Sequence, residues 1–429
     1  MHVSTYPGNK NQWNKSRNTI LNRSYRFSYY YLFFSTLTFM VWMTKVVSMS
    51  SSSSAATTIR VVSYNVLSSH LAAPDYFTAC QPSHLDPTNR LPKVLSKLEN
   101  EIQGNTKTIF CLQEVSHDWA GKFHTFFANR GYHVISGLYG KKFNGYMGII
   151  LAYSTDAYET MDVDISRLSD KRVGGWPRRE VVEEVPEKDG LFQKVIRTGT
   201  HLVRSFLWNP ARKLLLGSSL SNNNNEFRII DPWDMSENRF NILLSVGLRE
   251  RSMKREFWIS NYHMPCAFYA PMVMNIHAEM AAFHIQSLAT TCQDEETGPK
   301  RLPYILAGDF NLLPDSPHYR LLTEGKLDQE DETYPNTKYG MEWNVNDNFQ
   351  ALRSAYAVHN GAEPDFTNYA KVKEDEPFIG TLDYIFLSPE WKVTGLVDLQ
   401  HRSEVNDPPF PNAEEPSDHI LIGANLELE

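Results

Sequence analysis

No two cysteines stand close enough to form a C-x-x-C pair, since Cys80, Cys111, Cys266 and Cys292 are scattered along the chain. Neither zinc ligation nor a redox dithiol is suggested, and reduced thiols are expected. Cys111 lies inside an apolar run and reads as a small core residue. No internal repeat is visible, so the chain is not read as a repeat array. Asp and Glu are absent from the first 60 residues, which hold seven Lys or Arg; the rest therefore carries −15 against −8 for the whole chain. A body this acidic is not a general polyanion binder, because repulsion opposes long-range capture of nucleic acid. Any nucleic-acid ligand must be held by a local patch and a metal, which suits small nucleotides or short tails better than long duplexes.

The acid-free N-terminus is a separate extension, residues 1–57. Tyr29 to Val47 is a run of aromatic and aliphatic residues whose only charge is Lys45, with five basic residues before it. Its length suffices to span a bilayer, and the positive flank would leave the N-terminus in the cytosol and the body in the lumen. An expectation of membrane or secretory-pathway association through residues 29–47 follows. The same Arg-rich, Ser-rich composition fits an organelle transit peptide. Met49 also begins a stretch suited to a cytoplasmic protein. Ser50 to Thr58 reads as a short flexible linker.

The body, residues 58–429, repeats one design: an apolar, β-branched run ending abruptly in polar groups. Ile59 to Leu67 carries Asn65, Thr108 to Val115 ends in Gln113 and Glu114, and Phe257 to Met264 carries His263. Tyr304 to Ala307 delivers Asp309 and Asn311 just past Gly308, and Ile379 to Ser388 carries Asp383. In Glu415 to Leu428 the order reverses, with Asp418 and His419 leading into the apolar run. Polar residues at the same kind of strand terminus converge on one rim of a sheet sandwich, where acids, amides and imidazoles suit metal-assisted phosphoester cleavage.

The ordered strings YNVL, LQEV, NYHM, GDFNLLP, LDYIF and SDH resemble the endonuclease/exonuclease/phosphatase superfamily over roughly residues 58 to 429. The Leu after YNV, the proline of GDFNLLP and the apolar run after SDH are similar to nocturnin and the carbon-catabolite-repressor type of deadenylase. The aromatic-basic string usual in inositol phosphatases is absent. Two departures stand out: the His263 strand continues as MPCAFYAP without a tryptophan-proline signature, and Asn144-Gly145 replaces a more usual charged residue and glycine. The resemblance implies an α/β fold, a four-layer α/β sandwich of two packed, mainly antiparallel sheets flanked by helices. It implies Mg²⁺ as cofactor, with Mn²⁺ as substitute, held by Glu114 with Asn65 beside it and Asp418 as second acid. It further implies that Asp309 orients or deprotonates water, Asn311 donates to a phosphate oxygen, and His263 and His419 contact the phosphate or leaving oxygen. Asp383, not the adjacent Asp418, would orient the His419 ring. DFTNYA (Asp365 to Ala370) is similar to a segment supplying a base-stacking ring, which makes Phe366 the expected purine platform.

Between the strands, Lys93 to Gln103 places Val94, Leu95, Leu98 and Ile102 at helical spacing, and a second helix begins near Pro271 with Val273, Ile276, Met280 and Phe283 on one stripe. His277 and His284 on that helix are too far apart for a metal pair and read as surface or boundary histidines. An insertion is expected at about 161–233. Its second half interleaves Lys194, Arg197, Arg204, Arg212 and Lys213 with Phe206 and Trp208, either a substrate-gripping flap or a solvated insertion. The expected activity is 3′-to-5′ removal of adenosines from single-stranded RNA. Alternatives are nocturnin-like 2′-phosphate removal from a dinucleotide, or a sphingomyelinase-like lipid phosphodiesterase, which an apolar rim near the site would support. A non-catalytic binding module is disfavoured because every acid, amide and histidine position is filled.

Overall fold

The structure is a computed structural model and describes residues 58–179, 231–292 and 299–428. Ala56–Glu429 is one compact unit and holds every described residue. The apolar run at 29–47 and the basic-aromatic half of the expected insertion lie outside the described residues. Among those described, no helix is long and apolar enough to cross a membrane.

Along the chain the strands begin with β1 (Ile59–Asn65), β2 (Thr108–Val115), β3 (Tyr132–Leu138), β4 (Gly148–Ser154) and β5 (Tyr158–Arg167). Next come β6 (Ile242–Glu250), β7 (Glu256–His263), β8 (Thr290–Cys292), β9 (Pro299–Arg301) and β10 (Tyr304–Asp309). The last are β11 (Arg353–Ser354), β12 (Asn368–Ala370), β13 (Phe378–Gly380), β14 (Asp383–Leu387), β15 (Trp391–Leu396) and β16 (Ile422–Leu428). One six-stranded sheet runs β15-β16-β1-β2-β4-β3 and the other β11-β14-β10-β7-β6-β5. Each has one parallel pair, β1 with β2 and β7 with β10; the remaining pairs are antiparallel. β12–β13 and β8–β9 form small ribbons.

Strand alternation builds the layers, because successive side chains face opposite sides of a sheet. Val61, Cys111, Ile305 and Ala307 point between the sheets, against Ile149, Val246, Ile259 and Ile385. Their neighbours Val62, Phe110 and Leu112 point outward onto two helices, α2 (Pro87–Gly104) and α3 (His117–Ala128), which follow a short α1 (Pro82–Leu85). On the second sheet Leu306, Tyr262 and Phe386 face outward. They are covered by α5 (Pro271–Ala289) and α6 (Pro317–Glu324), after the short α4 (Pro232–Glu237) and before α7 (Ala355–Asn360). Each large apolar side chain so buried contributes roughly 1.5–3 kcal/mol, which is why a half-polar strand commits to one orientation. The arrangement is the expected four-layer sandwich.

Three details differ from expectation. Met161 to Arg167, assigned to the insertion, form the end of β5, paired with β6 from Tyr158↔Glu250 to Arg167↔Ile242. The alternation there is blurred because β5 is an edge strand with a register shift between Thr160 and Asp162. His277 is a fully buried core histidine, with Nδ1 against the Tyr262 hydroxyl at 3.0 Å and Nε2 against the Ser236 carbonyl at 3.1 Å. His284, further along α5, instead pairs with Asp164 at 2.9 Å. The helix expected from Lys93 begins earlier, where Asp86 accepts the Thr88 N–H at 2.8 Å and Pro87 occupies the first turn.

Candidate active site

Strand direction gathers the polar ends. β1 and β2 run parallel and finish together, and their antiparallel neighbours β16 and β4 begin at that same rim. In the second sheet β7 and β10 finish together while β14 begins there, so Asp309 lies in register with both His263 and Asp383. Counting alternate residues from the inward-facing Val61, Ile259, Ile305 and Ile385 leads to Asn65, His263, Asp309 and Asp383, all facing between the sheets. Gly308 permits the approach of β10 to β7. Its φ is +148°, and a Cβ there would stand 1.8 Å from the Tyr262 carbonyl oxygen. Glu114 would face the helix layer by alternation. A register shift between Leu112 and Val115 and a φ of 57° at Glu114 turn it to the rim instead, the usual effect of a bulge.

The side chains form one hydrogen-bonded array. His419 Nδ1 lies 2.8 Å from Asp383 Oδ2, which also accepts the Thr367 hydroxyl at 2.6 Å. The Asn65 amide nitrogen donates to Asp309 Oδ2 at 2.9 Å and to Glu114 Oε1 at 3.2 Å. Asp309 Oδ1 accepts the Asn311 backbone N–H at 2.9 Å, and Asn311 Nδ2 gives one hydrogen to the Met264 carbonyl at 3.0 Å. Nε2 of His263 stands 3.6 Å from Asp309 Oδ2 and 4.0 Å from Glu114 Oε1, and Nε2 of His419 stands 3.7 Å from Asp309 Oδ2. Asp418 is half-buried beside the array, near enough for Glu114 to act on its charge.

Packing charges together shifts their proton affinities. Burial raises the Asp309 carboxyl above the ordinary range, with Asp383 adding to the rise. It also raises Asp418, where Glu114 adds repulsion. Burial alone would lower the His419 imidazole, but the Asp383 and Asp309 carboxylates outweigh it and hold the ring well above its usual value.

The donor set fits a hard cation. Carboxylates and amides crowd the rim, Glu114 and Asp418 repel one another, and the buried Asp383 Oδ1 has no hydrogen-bond partner. Glu114 and Asp418, the expected ligands, are two groups that could hold such an ion. Donor atoms of Asp309, Asp383 and His419 also lie within 4.8 Å of one another and could hold an ion as well; of the three, only Asp383 and His419 are hydrogen-bonded to each other. Asn65, expected to offer the ion a neutral oxygen or to orient its water, accepts the Leu67 N–H at Oδ1 at 3.0 Å while its amide nitrogen faces the acids.

Phe366 is also corrected. It is fully buried, packed with Phe410 and Ile420, and presents no face to a base. Thr367, bonded to Asp383, draws this segment inward and carries Phe366 with it. Exposed rings stand elsewhere on the rim: Phe268 and Phe378, 45% and 36% exposed, lie 6.4 Å apart with Leu313 beside them.

Several contributors went unread in the sequence. The Tyr139 hydroxyl holds His263 Nδ1 at 2.8 Å, and the Ser68 N–H holds Glu114 Oε2 at 3.1 Å. Arg90, buried under the site, donates to the carbonyls of Val66, Leu67 and Pro416 at 2.6 Å each, stapling the Asn65 loop to the Asp418 loop. A signal for Arg90 was present: it shares a helical stripe with Val94 and Leu98, where a charge is out of place.

The family described as Endonuclease/Exonuclease/phosphatase matches residues 293–419, which carry Asp309, Asn311, Asp383, Asp418 and His419. The CCR4-Not complex 3′-5′-exoribonuclease subunit Ccr4 of Schizosaccharomyces pombe is 36% identical over 135 residues, 30% of this chain and 18% of that protein. The Aspergillus niger protein of the same name is 25% identical over 393 residues, 89% of this chain and 53% of that one. Carbon catabolite repressor protein 4 homolog 4 of Arabidopsis thaliana is 31% identical over 184 residues, covering 40% of this chain and 37% of that protein. The chain thus spans about half the length, or less, of these curated relatives. Among solved structures, ANGEL2, a 2′,3′-cyclic phosphatase in complex with adenosine-2′,3′-vanadate, matches with a TM-score of 0.59 and 18% identity, over 87% of this chain and 96% of that one. The human nocturnin catalytic domain matches with a TM-score of 0.50 and 17% identity, over 87% and 94%; at such identities both likenesses are of fold. The fold, the ordered rim residues and these matches agree: the chain is similar to the endonuclease/exonuclease/phosphatase family over residues 293–419 and to the Ccr4 exoribonucleases.

Proposed function

We propose that this protein is a Mg²⁺-dependent phosphoesterase acting on nucleotides or RNA, removing 3′-terminal adenosines one at a time. The observation that carries the reading is the Asp383–His419 pair set against Asp309 and Asn65 at one rim. Asp309, its proton affinity raised by burial, takes a proton from the water that attacks phosphorus. The Asn65 amide and the Asn311 N–H fix the orientation of that carboxylate. His419, kept charged by Asp383, donates from Nε2 to a phosphate oxygen, and the second amide hydrogen of Asn311 serves another. His263, steadied at Nδ1 by Tyr139, gives a proton from Nε2 to the leaving oxygen as its bond to phosphorus breaks. Glu114 and Asp418 would hold the cation, which when bound would supply charge neutralisation at the phosphate.

Adenine would stack on Phe378 and Phe268 in place of the buried Phe366, a contact worth roughly 1–3 kcal/mol per base. Dinucleotide 2′-phosphate removal is a second reading, favoured by the acidity of residues 61–429, whose net charge of −15 suits a small substrate. Mass-spectrometric product analysis of the full chain, with Mg²⁺ and with EDTA, tests these readings on 3′-adenylated RNA, a 2′-phosphorylated dinucleotide, a 2′,3′-cyclic phosphate and sphingomyelin. Stepwise release of adenosine monophosphate only with Mg²⁺ is the expected result. Cleavage of the dinucleotide or cyclic substrate alone would replace the RNA reading, and cleavage of the lipid alone would overturn the nucleotide reading.

A further inference from the structure

Between β3 and β4 runs the loop Tyr139–Met147, sequence YGKKFNGYM, with two lysines, three aromatics and no acid in an otherwise acidic body. Because β3 ends and β4 begins at the active-site rim, the loop lies on it. It is tied down at many points. The Lys141 N–H donates to Asn144 Oδ1 at 2.7 Å, the Tyr146 N–H to the Lys141 carbonyl at 2.9 Å, and the Gly140 N–H to the Met147 carbonyl at 2.8 Å. Two ties reach the catalytic groups. The Ser68 hydroxyl donates to the Asn144 carbonyl at 2.9 Å while the Ser68 N–H holds Glu114, and Tyr139 holds His263.

This anchored loop turns its large rings outward. Asn144 is buried, whereas Phe143 is 50% and Tyr146 51% exposed. Tyr146 sits at a φ of 51°, a conformation that costs a bulky residue about 1 kcal/mol or more. Gly145, also at positive φ, leaves space that His70 fills; a Cβ there would stand 2.4 Å from the imidazole. Lys141 Nζ lies 4.7 Å over the Phe240 ring, and Phe240 leads into β6 at the same rim. Single exposed apolar side chains are ordinary. Two planar rings beside two lysines, on a backbone clamped to the candidate metal ligand, make a platform that matches the stacking faces and phosphates of a nucleic-acid strand.

We propose that Lys142, Phe143 and Tyr146 form a second binding surface, for the bases and phosphates of single-stranded polynucleotide adjoining the reacting nucleotide. The inference rests on the nucleotide reading of the site and extends it. The reacting adenosine lies toward Phe268, in the loop after β7, and Phe378 of the β12–β13 ribbon, and the strand leaves over the loop carried by the first sheet. Small substrates do not reach it.

The test uses the full chain and the Phe143→Ala/Tyr146→Ala double variant, with thermal melts as a folding control. On an oligoadenylate of about eight nucleotides the variant should raise KM about tenfold or more with kcat unchanged, given typical stacking energies. On a di-adenylate it should match the wild type. Anisotropy with labelled oligo(A) reads the same loss of affinity whether or not the RNA is cleaved, so a failure of the RNA-hydrolysis reading is seen separately from a failure of this inference. Lys142→Ala should lower the slope of log affinity against log salt by about one. Equal losses on the two lengths would make the loop a support of the site and overturn the inference. So would unchanged oligo(A) affinity, or loss of binding confined to sphingomyelin vesicles.

Discussion

The rim and the helix layer behind the second sheet both bury polar groups, yet they treat them in opposite ways. Behind the sheet, His277 is enclosed by the Tyr262 hydroxyl and the Ser236 carbonyl, and His318 Nδ1 lies 2.7 Å from the Asn275 amide oxygen. Burial pushes these imidazoles down to about 3 and about 4. At the rim, His419 is no less buried, yet two carboxylates carry it the other way. The backbone differs too. Leu67, Glu114 and Asn311, all non-glycine residues at positive φ, border the array, whereas His277 lies within a regular helix. Buried polarity alone is a packing solution; charge set on charge over strained backbone is the mark of a working site.

The sharpest way to break that contrast is Glu114→Ala. Turnover should fall by about a thousandfold or more and cease to respond to Mg²⁺, while the melting temperature holds. Activity insensitive to EDTA would remove the cation from the account. Asp383→Asn comes next: with its Nδ1 acceptor weakened, His419 should lose orientation and charge, and kcat should drop about 10- to 100-fold with little change in KM. A larger rise in KM than fall in kcat would make the pair a binding device.

The smallest effect is on stability and belongs to the helix layer. His277 is neutral in the fold but protonates near pH 6.5 once unfolded, so the unfolded state binds the extra proton between that value and about 3. Stability from this group is therefore complete above pH 6.5 and is lost as pH falls through that window, by on the order of a few kcal/mol at its acid end. His277→Gln should flatten that part of a melting-temperature profile; an unchanged profile would place the acid sensitivity elsewhere.

Much of the rim was legible because it obeys alternation. Asn65, His263, Asp309 and Asp383 each fall on the inward parity of an apolar run, so their convergence follows from the strands themselves. Glu114 was found by family likeness, since its parity aims it at the helices and only the bulge redirects it. The Leu67 N–H that bonds the Asn65 oxygen depends on a turn the residues do not announce. Phe366 was misread since a polar-aromatic string does not say which ring turns in; the Thr367 hydroxyl decided it. Tyr139 and Ser68 act across long separations, and nothing near them in sequence marks that work.

The central claim is that chemistry resides in the rim array and not in buried polarity at large. Turnover and melting temperature of Asp309→Asn and His277→Gln, measured side by side on one 3′-adenylated RNA with Mg²⁺, test it directly. Asp309→Asn should lose turnover and keep its melting temperature, and His277→Gln should lose melting temperature and keep its kcat. Retained turnover in Asp309→Asn, or lost turnover with an unchanged melting temperature in His277→Gln, would contradict it.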